Sequence, residues 1–467
     1  NRNSMVITHN QERAVDLYNN LLEWCGDVAQ IYLLPENEFL PFERQMNNYG
    51  SVHKRIECLD AVSRSPTSYQ NSSPPVVIIS SVAAATQKTI SLSQFRSSII
   101  DLNVNQSINI ADFMHNCLSM GYENHFNIEM PGSISRRGGI VDVFSPGMES
   151  PVRVEFLGNN IESMRLFDIQ TQKSLKTVDM YRILPAKEWT PQSIDKSEVE
   201  KLCSVVDFRN CSLEIQEAFN QDLINISSGH PIQNGVIYNG AFCKESILNF
   251  LSGDSVLLFE QQDDIESEAR NLDEHENKIR FNKEKRGLIP YNFPSARISW
   301  DEFVYSADTA DIRLNIDNWR NDITQKPEVI EQEYQFEFCK DYNGQFESLM
   351  EDIRSWRENN EMTVLISKHS KRLEELLSIQ RIPITNDNNA QASVIVVSGS
   401  IDGGWCLATR GRKFHVITDK ELTGYVKERP KERLSQIQQQ SFLSELELNG
   451  HLVHIDHGIG IFRGIIF

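Results

Sequence analysis

From Asn1 to about Phe95 the chain alternates short apolar runs with stretches whose apolar residues recur at helical spacing; from about Ile99 that pattern yields to two-residue alternation. This change of period bounds the folds open to the chain. In the first stretch "SMVITHN", "AQIYLLP" and "VVIISSV" read as buried strands, with "QERAVDLYNNLLEWC" and "SVHKRIECLDAVS" as the helices between them and "RSPTSYQNSSPP" as a loop. Strands separated by helices imply a parallel α/β layer. After Ile99 a helical "NIADFMHNCLSMGY" leads to "GGIVDVFS", "SPVRVEFLG" and "IESMRLFD", short strands set off by turn residues. They predict an antiparallel meander and hence a separate small domain.

Beyond "ILPAKEWTP" helices and strands resume, including "DSVLLFE". The charged "QQDDIESEARNLDEHENKIRFNKEKRG" is expected to be a helix with a solvated face. A third unit follows: "EMTVLISKHSKRLEELLSIQRIPI" reads as strand, helix, strand, and "ASVIVVSGS" and "KFHVITDKELTG" add two strands. "VKERPKERLSQIQQQ" is a polar connector, and "ELELNGHLVHIDHGIGIFRGIIF" opens a further β unit.

A length of 467 residues suits about three domains. A formal charge of −19 disfavours a dedicated DNA-wrapping surface, because phosphates demand clustered cations, and it favours protein partners. The eight cysteines are scattered without a C-x-x-C pair, as expected of bystander thiols in a reducing cytoplasm rather than of a zinc or disulfide scaffold. No run reaches the roughly 18 apolar residues of a membrane span. The chain starts without methionine and stops inside a strand-like run, so both ends read as cut.

Motifs of catalysis are weak. No glycine-lysine-Ser/Thr triplet is present, so the backbone loop that cradles a triphosphate is missing. "DEHE" (Asp273 to Glu276) has the letters of a helicase box, but a polar helical pattern precedes it where that box needs a buried strand. His451, His454 and His457 step by three, which in a strand sends successive side chains to opposite faces and away from a shared metal. The sequence nominates no catalytic residue and no metal ligand.

Five segments, "PENEFLPFER", "SVHKRIECLDAV", "RRGGIVDVFSPGMESPVRVEFLGNNIESMRLFD", "FHVITDKELTG" and "NGHLVHIDHGIGIFRG", occur in an order that resembles the bacterial transcription-repair coupling factor family; the third also resembles the excision-repair protein UvrB. The resemblance covers essentially the whole chain and implies an α/β multidomain architecture. Residues 1–97 and 187–310 would be the two halves, 1a and 1b, of a degenerate RecA/helicase-like parallel α/β domain. An inserted small antiparallel-β domain 2, the UvrA-recruiting one, would take residues 98–186. A linker at 311–328, a second α/β domain (domain 3) at 329–428 and a linker at 429–446 would follow. Residues 447–467 would start the all-β RNA-polymerase-interacting domain.

The implied role is a non-catalytic platform that recruits UvrA to stalled RNA polymerase, which it would meet through the polymerase β subunit. In the family, ATP, Mg and double-stranded DNA belong to translocase motors beyond Phe467, so no cofactor is expected in this stretch, and the expected location is cytoplasmic. The family also masks domain 2 with a C-terminal domain, so this stretch alone would present it permanently. The alternative is a UvrB-type excision-nuclease subunit that binds damaged DNA with ATP; ATP turnover above background would favour it.

By motif position the resemblance assigns UvrA contact to Arg137, Arg153 and Leu157, the last a departure from the aromatic usual there. Alternation in "VRVEFL" supports it: Val152, Val154 and Phe156 point one way, and Arg153, Glu155 and Leu157 the other. A turn centred on Gly147 and Met148 would also set Arg153 across from Asp142. Plain alternation places Arg136, not Arg137, on the Arg153 face, and a bulge at Gly138-Gly139 would re-aim Arg137 onto it. Arg153→Ala is expected to weaken UvrA capture with the melting temperature nearly unchanged.

Overall fold

The computed structural model describes residues 2–36, 41–44, 49–64, 74–232, 235–251, 254–308, 312–317, 334–385, 394–401, 403–409, 412–424, 451–454 and 458–461. The linker at 429–446, all of "VKERPKERLSQIQQQ", His457 and most of "RSPTSYQNSSPP" lie outside the described residues. The strands, in chain order, begin with β1 (Ser4–Thr8), β2 (Gln30–Leu34) and β3 (Val76–Ser81). Next come β4 (Ile100–Asn103), β5 (Glu123–Asn124), β6 (Ser133–Arg137), β7 (Ile140–Phe144), β8 (Val152–Leu157), β9 (Asn160–Phe167), β10 (Ser174–Thr177) and β11 (Met180–Ile183). They continue with β12 (Val256–Glu260), β13 (Ile312–Ile316), β14 (Gln335–Phe338), β15 (Met362–Ser367), β16 (Val394–Ser398), β17 (Trp405–Thr409) and β18 (Arg412–Thr418). A last pair, β19 (His451–His454) and β20 (Gly458–Ile461), is antiparallel.

Parallel and antiparallel sheets are both present, as a mixed α/β chain requires. The first sheet has the order β13-β12-β1-β3-β2 and is parallel throughout. Its central strand buries Met5, Val6, Ile7 and Thr8 in succession, the pattern of a strand covered on both faces. The expected helices around it form at Gln11–Cys25 and Tyr49–Ser63. Phe219, Tyr238 and Phe293 pack edge to face with ring centroids 5.4–5.9 Å apart.

Strands β5 to β10 form a six-stranded sheet between the two sequence halves of the parallel layer. All its neighbours are antiparallel except the short pair β5 and β6. One face carries a core of its own, with Ile134, Val141, Val143, Val152, Val154, Ile161 and Met164 fully buried against Phe113 and Cys117 of the helix Ile110–Ser119. Ion pairs tie this region to the parallel layer: Arg182 on β11 reaches Asp60 at 2.9 Å, and Arg55 meets Glu188 at 2.9 Å with both side chains buried. Removing one partner of such a buried pair would leave an uncompensated charge, so these pairs hold the segments in place.

The second compact unit is a five-stranded mixed sheet of order β14-β17-β18-β15-β16. Strand β15 runs parallel to β16 and β18, and β14 and β17 add an antiparallel edge that the sequence pattern did not announce. The expected strand at "RIPI" reduces to a single bridge between Ile384 and Val394.

"DEHE" sits inside the helix Gln262–Lys285, as the polar pattern requires, yet that helix is more than a solvated face: it buries Ile265, Ala269 and Glu276. Asp273 accepts the Trp300 amide at 3.2 Å, and Glu276 accepts the Ser295 hydroxyl. The acidic letters thus serve the start of the next helix and a buried turn. His451 and His454 end the four-residue strand β19. Among the described residues no group of His, Cys, Asp and Glu side chains is arranged to hold a metal, and no helix is long and apolar enough to cross a membrane.

Candidate docking surface

Strands β6 and β7 pair with Arg137 opposite Ile140, Arg136 opposite Val141 and Ser135 opposite Asp142. Only Gly138 and Gly139 remain between them, so the glycines are the two-residue loop of a hairpin. Gly138 takes φ +62° and Gly139 has no positive φ, the pattern of a II′ turn. A Cβ on Gly139 would stand 3.0 Å from the Phe156 carbonyl oxygen, while the Phe156 amide donates to the Gly139 carbonyl at 2.8 Å. The first glycine therefore makes the turn and the second lets β8 approach.

This overturns the expected bulge at the glycines. The chain reverses at the loop, so parity counted straight through it fails. Across a two-residue reversal Arg137 shares a face with Asp142 and Arg153, and Arg136 shares the opposite face with Ile134 and Val141. Arg136 is exposed past the rim of that core and donates Nε to the Gly138 carbonyl at 3.2 Å. The irregularity lies in β9 instead: the register shifts between Glu155/Ser163 and Phe156/Ile161, leaving Glu162 extra and keeping both Met164 and Ile161 in the core.

Alternation in β8 is as the sequence predicts, with Val152, Val154 and Phe156 buried and Leu157 exposed at 70%. Arg153 lies opposite Asp142. Its Nε and Nη2 donate to Asp142 Oδ1 and Oδ2, each at 2.8 Å, a bidentate pair. The guanidinium also lies 4.7 Å from the centre of the Phe167 ring, which with Ile128 and Phe144 forms a small apolar cluster on this outward face. The hydrogen bonds that Arg153 donates to Asp142 raise its pKa, against the opposing effect of burial. Arg153 is thus half-buried and already neutralised.

Arg137 is held differently. Its Nη2 donates to the Phe126 carbonyl at 2.9 Å and to Asn127 Oδ1 at 2.6 Å, and its guanidinium stacks 4.8 Å from the centre of the Phe126 ring. Phe126 is 82% exposed. Among the described residues no carboxylate pairs with Arg137, and the residue is exposed. Ile140 stands between Arg137 and Glu155 in the ladder, and Leu157 follows Glu155 on the same face. Across from Arg153, Arg165 bonds Glu155 at 3.1 Å, and the Ser163 hydroxyl joins that carboxylate at 2.7 Å.

The structure therefore brings Arg137, Arg153 and Leu157 onto one face and sends Arg136 to the other. Two members of the surface escaped sequence reasoning. Arg165 could have been found from its alternation with Met164 and Leu166. Phe126 sits in the loop-like "ENHFNIEMP", where no period marks it. Three guanidiniums against two carboxylates, with Phe126, Ile140 and Leu157 exposed among them, form a surface suited to carboxylates and apolar side chains of a partner. Nothing in it resembles an acid-base or nucleophilic arrangement.

Residues 100–189 match the family described as the UvrB interaction domain. The chain is 24% identical over 484 residues to a transcription-repair-coupling factor of Bacillus subtilis (strain 168), and 22% identical over 490 residues to one of Staphylococcus aureus (strain bovine RF122 / ET3-1). Each alignment covers 100% of this chain and 40% of the relative, so the chain spans about two fifths of the length of the curated relatives it matches. The motif-level resemblance therefore extends from end to end: the chain is similar over its whole length to transcription-repair-coupling factors, and the segment that builds its six-stranded sheet matches the UvrB interaction domain.

Proposed function

We propose that this chain is a non-catalytic docking platform of transcription-coupled repair and that the outward face of its six-stranded sheet captures UvrA. The observation that carries this reading is Arg137, a cation bonded to no described carboxylate and stacked on the exposed ring of Phe126. A guanidinium preorganised on an aromatic ring loses little freedom on binding a carboxylate, which is what a recognition arginine needs. Arg153 contributes its stem and remaining N–H donors, Leu157 the apolar margin. Arg136, on the opposite face, serves the hairpin.

In this reading the platform acts in the cytoplasm and needs no cofactor of its own. ATP, Mg and double-stranded DNA engage the motors of the longer protein, and RNA polymerase is met through its β subunit by a domain starting near residue 447, a stretch mostly outside the described residues. The test is a calorimetric titration of purified UvrA into this chain. Saturable binding that Arg137→Ala weakens and Arg136→Ala spares is expected. No binding by the unaltered chain, or full affinity in Arg137→Ala, overturns the proposal.

A further inference from the structure

The second unit holds a buried sulfur pair that the docking function does not use. Cys406 on β17 lies opposite Glu337 on β14, and Cys339 follows two residues later, a diagonal neighbour on the same face. Their Sγ atoms are 3.1 Å apart, closer than unbonded sulfurs ordinarily rest. Cys406 Sγ is also 3.2 Å from His415 Nδ1, and His415 Nε2 is 2.5 Å from Glu361 Oε2. A carboxylate only accepts, so Glu361 keeps the ring proton on Nε2 and leaves Nδ1 as a base facing Cys406. Trp356 stacks on the imidazole, centroids 3.9 Å apart and planes within 10°, and fixes its orientation. Cys406 is buried, and half-buried Cys339 is the member nearer solvent.

We propose that Cys339 and Cys406 form an oxidation site for small hydroperoxides, closing to a disulfide with His415 as the proton acceptor. His415 Nδ1 takes the Cys406 thiol proton, and the Cys406 sulfur attacks an oxygen of the peroxide. The O–O bond breaks, Cys406 becomes a sulfenic acid, and the leaving oxygen takes the proton back from His415. The Cys339 sulfur then attacks the Cys406 sulfur, and the sulfenic oxygen leaves as water with the Cys339 proton. Two electrons pass from the thiols to the peroxide, giving one disulfide, one alcohol or water, and one further water. Burial pushes the Cys339 thiol up, so its proton has to pass to the departing sulfenic oxygen as the S–S bond forms. The closed bridge would tie edge strand β14 to β17.

The test is peptide mapping by mass spectrometry of the full chain after hydrogen peroxide, without reductant. The expected product is a peptide joined through Cys339 and Cys406, lighter by two hydrogens than its parts and separated by dithiothreitol, which neither Cys339→Ser nor Cys406→Ser forms. His415→Gln, which accepts no proton from the thiol, should cross-link several-fold more slowly; an equal rate removes His415 from the step. If exposed Cys203 is oxidised while Cys339 and Cys406 stay as thiols, or if those two oxidise separately without a cross-link, the proposal is overturned.

Discussion

The parallel sheet around β1 and the antiparallel sheet around β8 are built from strands of similar apolar content, yet they do opposite things with it. Four successive residues of β1 are buried, whereas β8 buries every second residue and turns the rest outward. A parallel strand is hemmed in by the helices that connect it, while a hairpin strand needs cover on one side only. The antiparallel sheet is thus the one of the two that leaves alternate side chains on an open face. Within that open face the two central arginines differ again: Arg153 is spent on Asp142, and Arg137 is held in place without being neutralised.

The contrast between the sheets is tested most severely by Phe259→Ala. The side chain is fully buried in β12, so its loss should cost about 3–5 kcal/mol of stability by denaturant titration while leaving UvrA affinity unchanged in the folded fraction. Arg137→Ala should do the reverse: about 2 kcal/mol of UvrA binding, roughly thirtyfold in Kd, with no shift in melting temperature. Arg153→Ala separates the two arginines. It strands the buried Asp142 carboxylate, so about 1–3 kcal/mol of stability should go along with affinity, which revises the expectation of an unchanged melting temperature.

A smaller effect tests where the antiparallel region meets the helix Tyr49–Ser63. His53 of that helix lies close to Gly132, where a Cβ would stand 3.1 Å from its Nε2. Burial lowers the His53 pKa below its ordinary 6.5, although a hydrogen bond from the imidazole to the Ala186 backbone opposes the shift. The unfolded chain then binds the proton more readily than the folded one. The stability from neutral His53 is complete above pH 6.5 and is lost as pH falls toward the lower folded value. Melting curves between about pH 7.5 and 5.5 should show this decline, and His53→Gln should flatten it. Smallest of all, Leu157→Ala should stay within about 0.5 kcal/mol in stability and weaken UvrA binding only slightly, because the side chain lies at an exposed strand end.

Much of the secondary structure was legible. The helices Gln11–Cys25 and Tyr49–Ser63 and the strands β1, β2, β3 and β12 follow from local periodicity. So does the pairing of Arg153 with Asp142, because a reversal centred on Gly147 and Met148 sets that register by counting. Strands β14 and β17 were missed since "YQFEF" and "WCLAT" are short and carry exposed aromatic or small residues, and the pairing that makes β14 a strand is with β17, far along the chain. The buried role of Glu276 was likewise invisible, because it depends on Ser295 and Arg297 arriving from the next loop.

Sequence by itself determined which residues of β8 turn inward, because backbone pleating has a period of two wherever the chain is extended. Only the tertiary structure decided that Gly138 and Gly139 reverse the chain rather than bulge it, that Phe126 lies under Arg137, and that Cys406 lies between Cys339 and His415. The last two depend on strands and loops meeting through contacts that no local pattern encodes, and the first on the cross-strand register that selects a turn over a bulge.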